Sequence, residues 1–206
     1  MSLREKQKAI RAREIMNAAA FLFEKQGYTN TKIEDIAEQA FVAPGTVYNY
    51  FGSKDGLMQQ IVRTHISERH AERKRFLDKP PLGLNEAIEA YTDLLLDRAF
   101  VLIGREIWRQ VLASGISAGR DRSDYLGEVT GALVEQFEQL LSTFKDRGIF
   151  APDAPIHDLA EAAMGIADFH FYRFVCHDDG SLDETKNKIR KQLQLLLSGS
   201  LAQSDD

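Results

Sequence analysis

Residues 40–57 of the 206-residue chain, AFVAPGTVYNYFGSKDGL, contain the signals that decide its fold. Pro44 suits the first position of a helix, where a missing N–H group costs no hydrogen bond. Gly52 can end the same helix, and Ser53 can cap the next one. The segment therefore predicts a helix of hardly two turns, placed between two other helices.

The side chains of this short helix divide between two faces. Val47 and Phe51 are four residues apart, so they share the face that we expect to pack on the preceding helices. Tyr48 and Tyr50 are turned away from that face. Almost no charge accompanies them in the helix, which indicates that their rings meet a binding partner. The alternative is that both lie at the edge of the core and their hydroxyls meet water.

Two further helices are predicted before this one. The first runs from about Arg4 to Gln26 and stops at Gly27. The second begins with a capping box, in which the side chains of Thr31 and Glu34 each accept a hydrogen bond from the other's backbone N–H group. Two short helices joined by a turn form a helix-turn-helix, whose second helix fits the major groove of DNA.

The rest of the chain has the 3.6-residue apolar period of helices and lacks the alternating pattern of strands. The segment Asp78–Gly83 contains two consecutive prolines, so it is predicted to be a linker. We therefore expect an all-α protein with about nine helices in total. Beyond the first three, the helices are predicted near residues 54–76, 84–102, 105–114, 123–147, 156–176 and 183–198.

The composition limits the class of protein. With 44% hydrophobic and 28% charged residues, the chain resembles ordinary globular proteins. Its longest apolar runs are far shorter than the roughly 18 residues that span a bilayer, so no membrane segment is expected. The charged N-terminal residues lack the apolar region of an export signal. Because the single cysteine, Cys176, can form no intrachain disulfide, a cytoplasmic location is predicted.

The charge is unevenly distributed along the chain. Its net value of −5 argues at first against a nucleic-acid partner. The N-terminal segment is nevertheless basic, because Lys and Arg residues outnumber Glu5 and Glu14 there; they are Arg4, Lys6, Lys8, Arg11 and Arg13. A locally basic face on an acidic protein can still neutralise phosphates.

The helix-turn-helix also carries specific residues in a fixed register, namely Thr31, Ile36, Ala37, Ala40, Val42, Pro44, Gly45, Thr46, Val47, Tyr48, Tyr50, Phe51, Lys54 and Leu57. This pattern resembles the DNA-binding signature of the TetR family of transcriptional regulators. The resemblance implies a three-helix DNA-binding domain at residues 1–53 and a larger helical domain for effector binding and dimerisation at residues 54–206. It further implies a repressor, without a cofactor, that binds a palindromic double-stranded DNA operator as a homodimer. A small-molecule effector would release it.

The predicted DNA contacts cluster around the short third helix. Thr46 and Asn49 are expected to face bases, while tyrosine hydroxyls, lysine ammonium groups and the N–H groups of Gly45 and Thr46 face phosphates. The full predicted set is Thr31, Lys32, Pro44, Gly45, Thr46, Tyr48, Asn49, Tyr50 and Lys54.

Two positions depart from the family pattern. Phe41 stands where the family usually has Gly, and a left-handed backbone there would cost a non-glycine residue about 1–2 kcal/mol. Ala43 stands at a helix cap where the family often has Ser, which removes a side-chain acceptor usually contributing about 1 kcal/mol. The recognition helix is therefore expected to be loosely anchored.

Candidate effector contacts are aromatic, apolar or cationic residues of the larger domain. They are Tyr91, Leu95, Phe100, Arg105, Trp108, Arg109, Phe137, Phe169 and His170. Arg105 and Arg109 are one turn apart and flank Trp108, so they could clamp an anionic ligand. The alternative is that the arginines form salt bridges while the tryptophan and His170 fill the core.

A dimer interface is predicted on the last two helices. The helix near residues 158–176 is apolar on nearly every side, so it needs partners on every side. With the amphipathic last helix it could form a two-fold four-helix bundle. The alternative is a buried helix in a monomer core. The candidate interface residues are Ala160, Ala163, Ala167, Tyr172, Ile189, Leu193, Leu196 and Leu197.

Other classes of function are disfavoured. His65 and His70 are five residues apart and face different sides of a helix, so no metal site is predicted. Cys176 and His177 are adjacent and lack an oxyanion motif, so no enzyme is predicted. An all-helical enzyme, or a helical module that uses the helix-turn-helix to bind protein, remains the alternative.

Overall fold

The computed structural model describes residues 2–100, 103–117, 120–177 and 180–202, with side chains outside residues 98, 114–117 and 120–129. This part of the chain is all-α, as predicted, and its only strand-like pairing is a single bridge between Phe150 and Leu201. None of its helices is long and apolar enough to cross a membrane. The helices are α1 (Leu3–Gln26), α2 (Ile33–Gln39), α3 (Pro44–Phe51), α4 (Lys54–Asp78), α5 (Leu84–Leu96), α6 (Arg105–Ser117), α7 (Arg120–Asp146), α8 (Ile156–Cys176) and α9 (Leu182–Ser198), with a short 3-10 turn at Arg98–Phe100.

The chain divides into two compact units. The first contains residues 1–68 and 99–114, and the second contains residues 69–98 and 115–206. The domain boundary proposed from the sequence, between residues 53 and 54, falls between α3 and α4.

The core of the first unit is built where α1, α2, α3 and the start of α4 meet. Five of its side chains are at most 1% exposed: Ile15, Phe23, Ile36, Val47 and Leu57. Full burial of one such side chain contributes about 1.5–3 kcal/mol. Val47 is thus a core residue, as predicted, whereas Phe51 is only half-buried.

Helix α2 begins later than the capping-box pattern predicted. Its N-cap is Lys32, whose N–H group donates to the Asp35 carboxylate at 3.0 Å. The predicted box between Thr31 and Glu34 is therefore wrong by one residue. The Thr31 hydroxyl is buried instead and donates to the Gly27 carbonyl at 2.7 Å, because the last carbonyls of α1 need donors.

Three helix ends also differ from the prediction. Helix α5 was expected to reach Leu102, but it ends at Leu96 and the 3-10 turn follows; Leu102 itself lies outside the described residues. Apolar residues continue past Leu96, so their period alone could not mark the end of the helix. Helix α6 extends to Ser117 and α7 begins at Arg120, whereas the sequence predicted helices near residues 105–114 and 123–147 with a gap between them.

The second unit has a larger core, in which α8 packs against α7 and α9, and α5 packs against α9. Aromatic rings of this core include Tyr91 and Phe137, whose centroids are 5.3 Å apart. A buried lysine, Lys186 of α9, binds Asp97 at 2.8 Å and Asp93 at 3.2 Å, both from the α5 side. The hydrogen bond to Asp97 is the main reason that the pKa of Lys186 is raised.

Candidate nucleic-acid interface

Val47 anchors the inner face of the recognition helix α3 in the core of the first unit. The opposite face of the helix is exposed to solvent. Its N-cap, Ala43, forms no side-chain hydrogen bond, which confirms the missing cap expected there. Pro44 and Gly45 are exposed at its start. The N–H group of Thr46 was expected to be available to anions, but it donates to the Ala43 carbonyl at 2.8 Å. Of the two backbone N–H groups expected to bind an anion, only that of Gly45 is still predicted to do so.

Two polar side chains of α3 face outward as the sequence predicted. Tyr48 and Asn49 are exposed, and Thr46 is half-buried. Tyr50 is also half-buried, because it turns toward α1, where the Lys8 ammonium lies 6.0 Å from its ring centroid. The outward face of α3 therefore carries hydroxyl and amide groups, which can bond both phosphates and base edges.

A basic groove runs between Tyr50 and the exposed N-terminal turns of α1. Three cations line it, Arg4, Lys8 and Arg11, of which Arg11 also forms a 3.0 Å salt bridge with Glu14. Sequence reasoning noted the positive charge of this segment but placed none of its residues in the site. The positive charge of these residues can be read from the sequence. That they lie close to the third helix follows only from the folded structure.

The lysine at the start of α4 is bonded within the protein. Its ammonium donates to three backbone carbonyls, those of Tyr28 at 2.8 Å, Thr31 at 2.9 Å and Thr29 at 3.4 Å. It also lies 4.4 Å from the centroid of the Tyr28 ring. The contact between Lys54 and phosphate stays a prediction, and these bonds compete with it.

Other predicted contacts differ in accessibility. Lys32 is exposed, so its ammonium can reach a phosphate. Thr31 is only 1% exposed and its hydroxyl is bonded to α1, so its side chain positions the loop rather than the ligand. Tyr28, in the same loop, donates its hydroxyl to Asp55, and burial together with this bond raises the pKa of Tyr28.

The turn before α3 has a left-handed backbone at Phe41, the position where the family usually has glycine. Phe41 has φ of 54°. Its N–H group donates to the Glu38 carbonyl at 3.1 Å, and that of Val42 donates to the Ala37 carbonyl at 2.9 Å. These two bonds form a Schellman motif, which requires a left-handed residue between them. The turn is therefore kept and the backbone strain is tolerated.

The segment described above matches a known family. The model for bacterial regulatory proteins of the tetR family covers residues 15–61, which include α2, α3 and the start of α4. Residues 15–61 are therefore a tetR-family segment, and the chain is similar to TetR-family regulators. It is a helix-turn-helix transcriptional regulator.

The similarity to known regulators extends beyond the matched segment. The uncharacterized HTH-type transcriptional regulator YfiR of Bacillus subtilis is 26% identical over 160 residues, which are 77% of each chain. The HTH-type transcriptional repressor KstR2 of Rhodococcus jostii is 27% identical over 147 residues, covering 57% of this chain and 71% of the repressor. Both relatives are regulators of transcription.

A solved structure supports the fold over the whole length. A TetR-family transcriptional regulator from Pectobacterium atrosepticum superposes with a TM-score of 0.70 at 23% identity, covering 98% of this chain and 99% of that one. The superposition includes both units, so the larger unit has the TetR-family fold as well.

The candidate effector residues of this regulator fall into both units. Phe100, Arg105, Trp108 and Arg109 belong to the first; Tyr91, Leu95, Phe137, Phe169 and His170 belong to the second. The Trp108 indole donates to the Ala99 carbonyl at 3.0 Å, and His170 bonds Gln192 at 3.0 Å. Phe169 is exposed. The structure brings Tyr91 and Phe137 together; the ligand role of the nine residues stays a prediction.

The predicted dimer residues lie mostly inside the single chain. Six of them are at most 3% exposed: Ala160, Ala163, Ala167, Ile189, Leu193 and Leu197. They are turned inward because α8 and α9 pack against each other and against α5 and α7, so they cannot contact a second copy directly. Tyr172 is exposed and Leu196 is half-buried. The interface itself stays a prediction.

Proposed function

We propose that this chain is a repressor that binds a two-fold symmetric operator as a homodimer and is released by a small-molecule effector. The observation that carries the proposal is the outward face of α3, where Tyr48 and Asn49 project from a helix anchored by Val47. A cytoplasmic location goes with this role. The DNA-binding domain is proposed at residues 1–53 and the effector and dimerisation domain at residues 54–206.

The proposed DNA contacts divide by role. Thr46 and Asn49 contact base edges, so they determine which operator is bound. Tyr48, Tyr50 and Lys32 contact phosphates together with the cations of the basic groove, so they determine affinity and its dependence on salt. The groove adds three cations to the predicted set, Arg4, Lys8 and Arg11, which compensates locally for the net charge of −5.

The proposed dimer uses the apolar side chains that α8 and α9 leave at the surface. Phe169, Tyr172 and Leu195 are all exposed there. Large exposed apolar side chains on neighbouring helices are typical of protein interfaces. A two-fold arrangement would present two recognition helices to half-sites about 34–36 Å apart.

DNA binding can be tested before the operator is identified. Fragments of the source genome that the protein protects would be selected and sequenced, and binding to a selected duplex would be measured by fluorescence anisotropy over a range of salt concentrations. We expect a palindromic site and a steep fall of affinity with salt. Binding that depends on neither sequence nor salt would contradict the proposal and favour a protein-interaction module.

Two variants separate the proposed roles. Asn49→Ala should change the preference among operator sequences, because it removes a base contact. Lys8→Ala should weaken binding to all sequences alike and reduce the salt slope by about one, because it removes one phosphate contact. The same two effects in reverse would contradict the assigned roles.

A further inference from the structure

An arginine of the second unit is buried without an acidic partner in the described part of the chain. Arg73, in the last third of α4, is 6% exposed. No carboxylate among the described residues forms a salt bridge with it, and the neighbouring Glu72 is paired with Arg69 at 2.7 Å. Removing a charge from water costs several kcal/mol unless another group compensates for it. Burial is the main reason that the pKa of Arg73 is lowered, and the nearby Tyr91 and, to a smaller extent, Glu72 oppose this effect.

The guanidinium is nevertheless held in one orientation. Its Nε donates to the Gln136 side-chain oxygen at 2.7 Å. The Gln136 amide nitrogen lies 3.3 Å from Nδ1 of His70, to which it can donate. Gln136 is itself buried, so this chain of bonds fixes the glutamine as well. Neither terminal nitrogen of Arg73 forms a hydrogen bond within the described part of the chain, so both can donate to a ligand.

A second polar group lies buried and unsatisfied in the same unit. The hydroxyl of Tyr91 has no hydrogen-bond partner among the residues that the structure describes, although the side chain is only 1% exposed. Burial raises the pKa of Tyr91 to about 12, although the charge of Arg73 acts to lower it, so the hydroxyl remains a neutral donor at physiological pH. A buried hydroxyl without a partner costs free energy, which a bound acceptor would recover.

The surroundings of these groups are apolar. The Tyr91 ring lies 6.0 Å from the Phe76 ring and 5.3 Å from the Phe137 ring. Leu77 and Ile88 belong to the same core. A molecule that reaches Arg73 and Tyr91 must therefore offer an acceptor at one end and a hydrocarbon body at the other.

We propose, on the basis of the effector-released regulator described above, that the effector is an amphipathic carboxylate bound by Arg73 and Tyr91. The carboxylate accepts two hydrogen bonds from the guanidinium fork and one from the tyrosine hydroxyl, while its hydrocarbon chain enters the aromatic core. A carboxylate fits better than a phosphate, because its single charge and planar geometry match one guanidinium.

The location also explains how such a ligand could regulate the protein. Both polar groups are nearly inaccessible, so the ligand has to displace part of the packing between α4, α5 and α7. A ligand that binds only the displaced arrangement shifts the equilibrium toward it. Helix α4 carries Arg73 near its C-terminal end. At its N-terminal end it carries Lys54, which is bonded to the loop between α1 and α2.

The test uses the full chain and a set of probes with different head groups. Straight-chain carboxylates from butanoate to tetradecanoate would be compared with decanol, decylamine and decyl phosphate. Binding is measured by titration calorimetry and by the shift in the thermal unfolding midpoint. We expect at least one carboxylate to bind and raise the midpoint, and the alcohol, amine and phosphate of equal chain length to bind at least about tenfold more weakly.

Variants locate the binding site. Arg73→Met should lose at least about tenfold in carboxylate affinity, and Tyr91→Phe should weaken it less. Arg75→Met, which removes an exposed arginine of the same helix, is the matched control and should leave affinity unchanged.

Failure of this inference is distinguishable from failure of the proposed function. If no carboxylate binds, if decanol binds as well as decanoate, or if Arg73→Met binds carboxylate like the wild type, carboxylate recognition is wrong, whatever the DNA measurement shows. If the protein selects no operator, the regulator function is wrong, while calorimetry of the carboxylate still reports on Arg73. Release of operator DNA by the bound carboxylate, measured by anisotropy, is expected when both are right.

Discussion

At the scale of single residues, Phe41 has an unfavourable left-handed backbone conformation that the fold tolerates. The Schellman motif at the end of α2 requires a left-handed residue, and Phe41 supplies one with φ of 54°. Its side chain is 92% exposed, so it gains almost nothing from packing that could offset the strain. The family resemblance already identified this position as unusual, because it implied glycine there.

Replacing Phe41 by glycine should therefore stabilise the protein. Phe41→Gly removes the left-handed penalty, and after the larger chain entropy of glycine is subtracted we expect a gain of about 1 kcal/mol in the free energy of unfolding. Denaturant titration measures it. Phe41→Ala is the matched control, since it removes the same ring but keeps the penalty, and should change stability little. Equal effects of glycine and alanine would show that backbone strain is not the cause.

Tyr91 offers a second test at this scale. Its hydroxyl is buried without a partner among the described residues, so Tyr91→Phe should raise the free energy of unfolding of the ligand-free protein by about 1 kcal/mol. The hydroxyl also makes stability depend on pH. The pKa of Tyr91 is about 12 in the folded protein, above its value in the unfolded chain. The part of the free energy of unfolding that depends on protonated Tyr91 is therefore fully present below pH 10 and is lost as the pH rises from 10 to 12.

The pH dependence has an internal comparison. Tyr28, whose pKa is also raised, contributes to the alkaline loss in both proteins. The wild type should nevertheless lose more stability than Tyr91→Phe over this interval, measured by denaturant titration at each pH. Superimposable pH profiles would show that the Tyr91 hydroxyl has a partner in solution, such as bound water.

At the scale of elements, local signals predicted α3 almost completely, because Pro44, Gly52 and Ser53 each act within one turn. Ser53 caps α4 as expected, with its hydroxyl accepting from the Gly56 N–H group at 3.0 Å. The start of α2 was wrong by one residue, since the Thr31 hydroxyl bonds to α1 instead. That contact depends on tertiary structure, which a local pattern does not contain.

Close packing between α3 and α4 explains a glycine that the pattern left unexplained. A Cβ atom on Gly56 would lie 2.2 Å from the carbonyl oxygen of Phe51, and a backbone atom cannot move aside cheaply. Gly56→Ala should therefore lower the free energy of unfolding by about 1–3 kcal/mol. Gly45→Ala is the control, because no described atom lies within 4 Å of its added Cβ. A thermal scan of both variants checks this, and equal midpoints would contradict the close approach.

Lys54 connects the first turn of α4 to the loop between α1 and α2. Because its ammonium bonds carbonyls of that loop, Lys54→Met should cost about 1–3 kcal/mol of stability and leave the salt slope of DNA binding unchanged. Lys32→Met is the opposite case. Its side chain is exposed, so stability should stay constant and the slope should fall by about one. A reduced slope for Lys54→Met would restore its predicted phosphate contact.

At the scale of the whole molecule, apolar content alone could not separate an internal helix face from an intersubunit face. The sequence showed that α8 is apolar on nearly every side, but the chain's own α7 and α9 cover much of that surface. The small residues Ala160, Ala163 and Ala167 were predicted to admit a second copy and instead lie in the core of the second unit. The apolar residues that remain outside are few, which makes the proposed interface easy to test.

The interface should fail when charge is placed in its centre. Leu195 is 77% exposed on α9, so Leu195→Glu should leave the fold intact and, combined with Phe169→Glu on α8, convert a dimer to a monomer because buried carboxylates would lack partners. Light scattering coupled to gel filtration measures the mass. Leu82→Glu, which changes an equally exposed leucine outside both helices, should remain dimeric.

The monomeric variant also tests whether the regulator needs two copies to bind its operator. Two linked recognition helices bind the second half-site at a high effective concentration, so loss of the dimer should weaken operator binding at least about a hundredfold. Binding to an isolated half-site should be unchanged, because α3 and the basic groove remain in place. If the double variant stays dimeric, another surface joins the subunits. If it is monomeric but binds the full operator as tightly as the wild type, a single chain reads the whole site and the two-fold operator is wrong.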